Sequence, residues 1–168
     1  DRRGVELGER RQAVRPVGDV VAFAGPRTIK PQDSGRIEKR FIDLDALVAE
    51  PVLRELAPGM TAQLWGYNGS SPGPTIEVVE GDRVRLFVTN KLPEHTAVHW
   101  HGQRLPSGMD GVGGLNQPAI PVGKTFVYEF EARRPGTFMY HPHADEMVQM
   151  AMGMMGMWVT HPKGKHPH

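Results

Sequence analysis

The fold and the function both turn on two short stretches: His99-Trp100-His101-Gly102, and Pro135-Gly136-Thr137-Phe138-Met139-Tyr140-His141-Pro142-His143. Each holds a His-X-His pair. In an extended strand, residues i and i+2 share a face and sit roughly 6.5–7 Å apart, so each pair offers two imidazoles to one side of a sheet. Two such pairs brought opposite one another give four neutral nitrogen donors in one cleft, a set suited to copper or zinc. One pair alone carries little, since two surface histidines in a strand are ordinary. Two pairs, each flanked by aromatic residues and each beside a turn, point to a shared site.

Working outward from this stretch, the rest of the chain reads as strands and turns. Met60 to Tyr67 alternates apolar and polar residues and runs into the turn Asn68-Gly69-Ser70-Ser71-Pro72-Gly73-Pro74. Thr75 to Val79 reads as a strand, Glu80-Gly81-Asp82 as a tight turn, and Arg83 to Asn90 as another strand with Val84, Leu86 and Val88 on one face. Ala97 to His101 follows as a strand, then a Gly-rich loop to Pro121. Further strands are expected at Lys124 to Glu131, Gly136 to His141 and Gly156 to Thr160. A loose alternation begins at Arg36, and Leu44 to Leu56 leaves room for one helical turn before Pro58-Gly59. Strands this short, at intervals of about ten residues, predict an all-β antiparallel sandwich or barrel.

Composition bounds the alternatives. The 168 residues make one domain with room for a core. Gly 20 and Pro 15 are high, as many turns require. A formal charge of +1 offers no strong field to nucleic acid or an anionic membrane. No stretch approaches the apolar length of a transmembrane segment. The chain has no cysteine, which excludes a disulfide framework, a Cys-based zinc site and a blue-copper centre, since the last needs a thiolate. Asp1 stands where Met would begin a nascent chain, so the chain reads as processed or trimmed. Residues 1–35, rich in charge, Gly and Pro, read as an extended arm with one apolar run, Val20-Val21-Ala22-Phe23-Ala24. Residues 36–162 form the folded unit, and residues 163–168 a linker or tail.

With these residues in view, the chain resembles the first cupredoxin domain of multicopper oxidases. The resemblance rests on Trp65-Gly66-Tyr67-Asn68-Gly69, Pro72-Gly73-Pro74-Thr75-Ile76, Glu80-Gly81-Asp82 and His99-Trp100-His101-Gly102. It continues in order through Asp110-Gly111, Gln117-Pro118-Ala119-Ile120-Pro121 and Tyr140-His141-Pro142-His143, and covers about residues 36–162. It implies a Greek-key, cupredoxin-like β-sandwich. It also implies that His99 binds the "type 2" copper, while His101, His141 and His143 bind the paired "type 3" coppers. The remaining ligands of that trinuclear cluster, and the type 1 copper, are implied to come from a further cupredoxin domain through His-X-His and His-Cys-His motifs. The implied chemistry draws single electrons from a reducing substrate and reduces dioxygen to water. The implied setting is periplasmic or secreted.

Other residues carry two readings each. Asp110, by resemblance, is an acid near the type 2 copper that orients water or a ligand ring and relays protons; otherwise it is an Asp-Gly turn residue. Trp100 and Tyr140 alternate away from the histidines and are expected to pack. Met147, Met150, Met152, Met154, Met155 and Met157 are either a soft-ligand path for Cu(I) or core filling around a short helix, which the spacing of 147, 150 and 154 favours. Asp145 and Glu146 fit the first turn of that helix. His95 is expected to be exposed, and His161, His166 and His168 to lie in the tail. The competing function is a stand-alone copper-binding module for storage or delivery, without turnover.

Overall fold

The computed structural model describes residues 42–44 and 46–164, and among these residues it forms nine strands, one short α-helix and one 3-10 turn. The expected arm at 1–35, the alternation from Arg36 to Phe41, and His166 and His168 lie outside the described residues.

The strands form two sheets. In the first, β5 (Arg83–Asn90) pairs antiparallel with β7 (Thr125–Glu131) along one edge. Its other edge is shared by β1 (Ile42–Asp43) and β2 (Leu47–Ala57), both parallel to it, and β3 (Met60–Tyr67) closes that side as the antiparallel partner of β2. The second sheet runs β4 (Ile76–Val79), β9 (Gly156–His161), β8 (Gly136–Pro142), β6 (Val98–Trp100). The sandwich is therefore mixed rather than wholly antiparallel: β1 and β2 run parallel to β5, and β4 runs parallel to β9. Such pairings join segments far apart in sequence, which local strand signals do not reveal.

The expected helical turn within Leu44 to Leu56 is absent, because β2 occupies Leu47–Ala57. Its apolar residues also fit a helical spacing. Pairing decides the matter: from Ala49↔Tyr67 to Ala57↔Met60, β2 is zipped to β3 through a hairpin that turns at Pro58-Gly59.

The core lies between the sheets. In β5 the residues alternate strictly, with Val84, Leu86 and Val88 fully buried. Trp100 of β6 sits at the centre. Its ring is 5.2 Å from Tyr128 and 5.6 Å from Phe130 of the first sheet, and 5.5 Å from Trp158 and 5.9 Å from Tyr140 of its own. Trp100 and Tyr140 are thus packing residues, as strand alternation requires. Two hydroxyls tie this core to the backbone: Tyr128 accepts from the Val98 amide at 3.0 Å, and Tyr140 donates to the Pro74 carbonyl at 2.7 Å.

Candidate metal centre

Because Trp100 and Tyr140 point inward, their neighbours point out. β6 and β8 are adjacent and antiparallel, and His99 and His141 are direct cross-strand partners. His101 lies one residue beyond β6 and His143 one beyond β8. Both are still held by the ladder, since the His101 amide donates to Met139 and the His143 amide to Ala97, each at 3.0 Å. All four rings gather on the outer face of the second sheet. The His99 ring centre is 5.3–5.5 Å from those of the other three. His141 is 5.4 Å from His101 and 6.1 Å from His143.

Hydrogen bonds fix which nitrogens are offered. His99 Nδ1 is 2.6 Å from the carbonyl of Asp110, and a carbonyl only accepts, so Nδ1 carries the proton and Nε2 keeps its lone pair. His141 Nδ1 is likewise 3.0 Å from the Pro142 carbonyl. Its Nε2 then faces His101 Nδ1 at 3.2 Å. One donor atom from each of His99, His101 and His141 falls within 4.8 Å of the others, close enough to share an ion. Imidazoles with one nitrogen anchored and the other directed inward are the usual form of a metal-ligating histidine. The donor set fits copper or zinc and, lacking a thiolate, does not make a blue-copper site.

His141 is nearly buried, and burial is the main cause that draws its pKa below the ordinary value for histidine. The neighbouring His99 and His101 push in the same direction, while the Pro142 carbonyl and Glu146 oppose it. The outcome favours the neutral ring, the form that binds metal.

Asp110 stands beside His99, but its main contact is not through the side chain. The short bond comes from its backbone carbonyl. The carboxylate is 3.5 Å from the same Nδ1 and 3.4 Å from the Asn116 side-chain amide. This loop is pressed against β6 at Gly111, whose φ is +87°. A Cβ there would lie 1.8 Å from the Val98 carbonyl oxygen, so only glycine permits the approach that brings the Asp110 carbonyl to His99.

Beyond β8 the chain turns into helix α1 (Glu146–Ala151), which brings two more side chains into play. Glu146, on its first turn, places Oε2 3.5 Å from His143 Nε2 and Oε1 3.8 Å from His141 Nδ1. Gln149 is fully buried. It accepts from the Thr96 hydroxyl at 2.7 Å and donates to the Glu94 carboxylate at 2.7 Å and the His95 carbonyl at 2.9 Å. It thereby joins the segment after β8 to the segment leading into β6.

The methionine run divides differently from its spacing. Met154 is buried, but Met147 is 87% exposed, and Gln149 is the helix's buried residue. The helix is only six residues long, so a repeat running from 147 to 154 outlasts it. His95 is exposed, as expected. His161 is not tail: it ends β9 opposite Val79, with Nε2 2.8 Å from the Glu77 carboxylate.

The family described as multicopper oxidase matches residues 50–165. Copper resistance protein A of Escherichia coli is 38% identical over 109 residues, covering 65% of this chain and 18% of that protein. The L-ascorbate oxidase of Cucurbita pepo var. melopepo is 44% identical over 104 residues, covering 60% of this chain and 18% of that protein. Among solved structures, a multi-copper oxidase from Pseudomonas thermotolerans superposes with a TM-score of 0.72 at 39% identity, over 75% of this chain and 31% of that one. The chain thus spans under a fifth of the length of these curated relatives.

Proposed function

The chain belongs to the multicopper oxidase family, and on that premise we propose that it is the oxygen-reducing half-site of a laccase-like oxidase. In this reading residues 36–162 are the cupredoxin-like domain, residues 1–35 an arm and residues 163–168 a linker or tail. His99 serves a type 2 copper, and His101, His141 and His143 serve the type 3 pair. Further cupredoxin domains supply the other ligands through His-X-His and His-Cys-His motifs, and with them the type 1 site that this cysteine-free chain cannot build. The copper cluster supplies the redox chemistry that carries electrons from a reducing substrate to dioxygen, yielding water. The chain's own residues present neutral imidazoles, fix their rings, and, through Asp110, orient His99 and handle protons beside it. The setting is periplasmic or secreted; among the described residues no helix is long and apolar enough to cross a membrane.

The observation that carries this reading is the gathering of both His-X-His pairs on one face of one sheet. Three of the four rings, those of His99, His101 and His141, bring donor atoms within 4.8 Å of one another, and the fourth, His143, lies beside them; such a partial set suits a site finished by another domain. The test is oxygen consumption by the longest polypeptide that contains these residues. His99→Ala and His141→Ala should each abolish turnover while the β-rich circular dichroism spectrum persists. A variant lacking both histidines that reduces oxygen at the parental rate would sink the assignment. Tight copper binding with no turnover in the parent would favour the storage or delivery module instead.

A further inference from the structure

We propose that Glu146 is a positioning carboxylate for the second histidine pair, supplying the negative charge that draws a cation to His141 and His143. Nothing in the His-X-His pattern announces it, since Glu146 lies three residues past His143 and reads as an ordinary first-turn acid. The geometry gives it a further role. Its two oxygens are divided between the two rings, Oε1 3.8 Å from His141 Nδ1 and Oε2 3.5 Å from His143 Nε2. No other carboxylate among the described residues is paired with both members of a His-X-His pair.

The placement is built rather than incidental. Three residues after Glu146, the fully buried amide of Gln149 pins α1 in place, accepting from Thr96 and donating to Glu94 and the His95 carbonyl. The helix that carries the carboxylate is thus locked to the segment entering β6. A fixed charge at this range acts on a bound cation in two ways. It attracts the ion directly, and it restrains the rings that hold it. His99 is anchored by the Asp110 carbonyl and His141 by the Pro142 carbonyl, and Glu146 adds a carboxylate beside both rings of the second pair.

The inference rests on the metal-centre reading, and the test separates the two. The 168-residue chain is titrated with Zn(II) and with Cu(II) alongside Glu146→Gln, Glu146→Asp and Asp145→Asn. Asp145 is exposed and adjacent, so its change removes the same formal charge without touching an imidazole. Glu146→Gln should weaken metal binding by about 10–100-fold, the usual effect of losing such a partner. Glu146→Asp should recover part of that loss, and Asp145→Asn should leave affinity within about twofold of the parent. In the metal-free chain, Glu146→Gln should also move the imidazole nitrogen resonances of His141 and His143 while leaving those of His99 in place. At 43% side-chain exposure Glu146 can be replaced without opening the core, and unchanged thermal unfolding checks that directly. Parental affinity in Glu146→Gln, or an equal loss in Asp145→Asn, overturns the assignment of Glu146 alone. A longer polypeptide that contains these residues together with the further domains and takes up neither ion overturns the metal-centre reading with it.

Discussion

Gln149→Leu isolates the contact that ties the two histidine-bearing segments together. Leucine nearly matches glutamine in volume and adds apolar surface, so cavity formation is small and the change is chiefly a loss of three hydrogen bonds. Thr96 is fully buried, and its hydroxyl would be left without the Gln149 acceptor. The His95 carbonyl loses its donor as well, whereas the partly exposed Glu94 can turn to water. An orphaned buried polar group costs about 1–3 kcal/mol. Two of them cost about 2–6 kcal/mol and a buried leucine returns roughly 1.5–3 kcal/mol, so the central net loss is about 2 kcal/mol. For a domain of this size that lowers the melting temperature by about 4–8 °C. Calorimetry or thermal circular dichroism reads the shift. The control is Thr96→Val made in the Gln149→Leu background, which removes the orphaned hydroxyl and should return about 1–2 kcal/mol, a coupling that a double-mutant cycle measures. If Gln149→Leu melts within about 1 °C of the parent, or if the two changes are strictly additive, the account of Gln149 as a bridge is wrong.

Other consequences are simpler to state. Copper loading of the 168-residue chain should give no intense blue absorption, because the chain has no cysteine to supply the thiolate of a blue-copper site; a strong blue band refutes the exclusion of a type 1 site. All three tyrosines, Tyr67, Tyr128 and Tyr140, have pKa values raised chiefly by burial, that of Tyr128 to about 12. Folded values above the unfolded one of about 10 mean that this stabilisation is intact below pH 10 and is lost as pH rises through the folded values. Tyrosinate absorbance should therefore stay flat through pH 10 and then rise together with unfolding, and a tyrosine that titrates near 10 in the folded chain contradicts the burial. Gly111→Ala should lower stability by about 2 kcal/mol or more through its left-handed φ and the clash with Val98, and should weaken metal binding by releasing the Asp110 carbonyl from His99. Unchanged metal affinity in that variant would separate the loop from the site.

Much of this was legible in the sequence for a physical reason: strand alternation is local. Arg83 to Asn90 alternates so strictly that its inward face could be named, and the same rule put Trp100 and Tyr140 behind the histidines. What stayed hidden depends on partners distant in the chain. β2 carries apolar residues at 47, 48, 49, 52, 53 and 56, which satisfy a helical period as well as a strand, and only its pairing with β3 settles the choice. His161 follows the same logic, since β9 is extended one residue by pairing with Val79 of β4. In α1 the buried residue is a glutamine among methionines, a choice dictated by the polar groups of Thr96 and His95 that it meets, and nothing nearby in sequence names those groups. Glu146 was visible only as a helix-start acid until the turn after His143 brought it back over the rings.

The site depends on register more than on the histidines' own interactions. A slip of one residue between β6 and β8 would turn Trp100 outward and the imidazoles into the core. What forbids it lies behind the site: Trp100 meets four aromatic rings from both sheets, each pair adding roughly 0.5–1.5 kcal/mol beyond the area it buries. That packing must also exceed the cost of the indole N–H, which is buried without a partner among the described residues, about 1–3 kcal/mol. The Tyr128 hydroxyl on the Val98 amide adds a further registration point. The histidines contribute little to this hold, because they lie on the face away from this aromatic core, with their nitrogens turned toward one another or to loop carbonyls. The apolar face of β6 and β8 therefore fixes where the polar face presents its donors, and the polar face is left free to be specified by a metal.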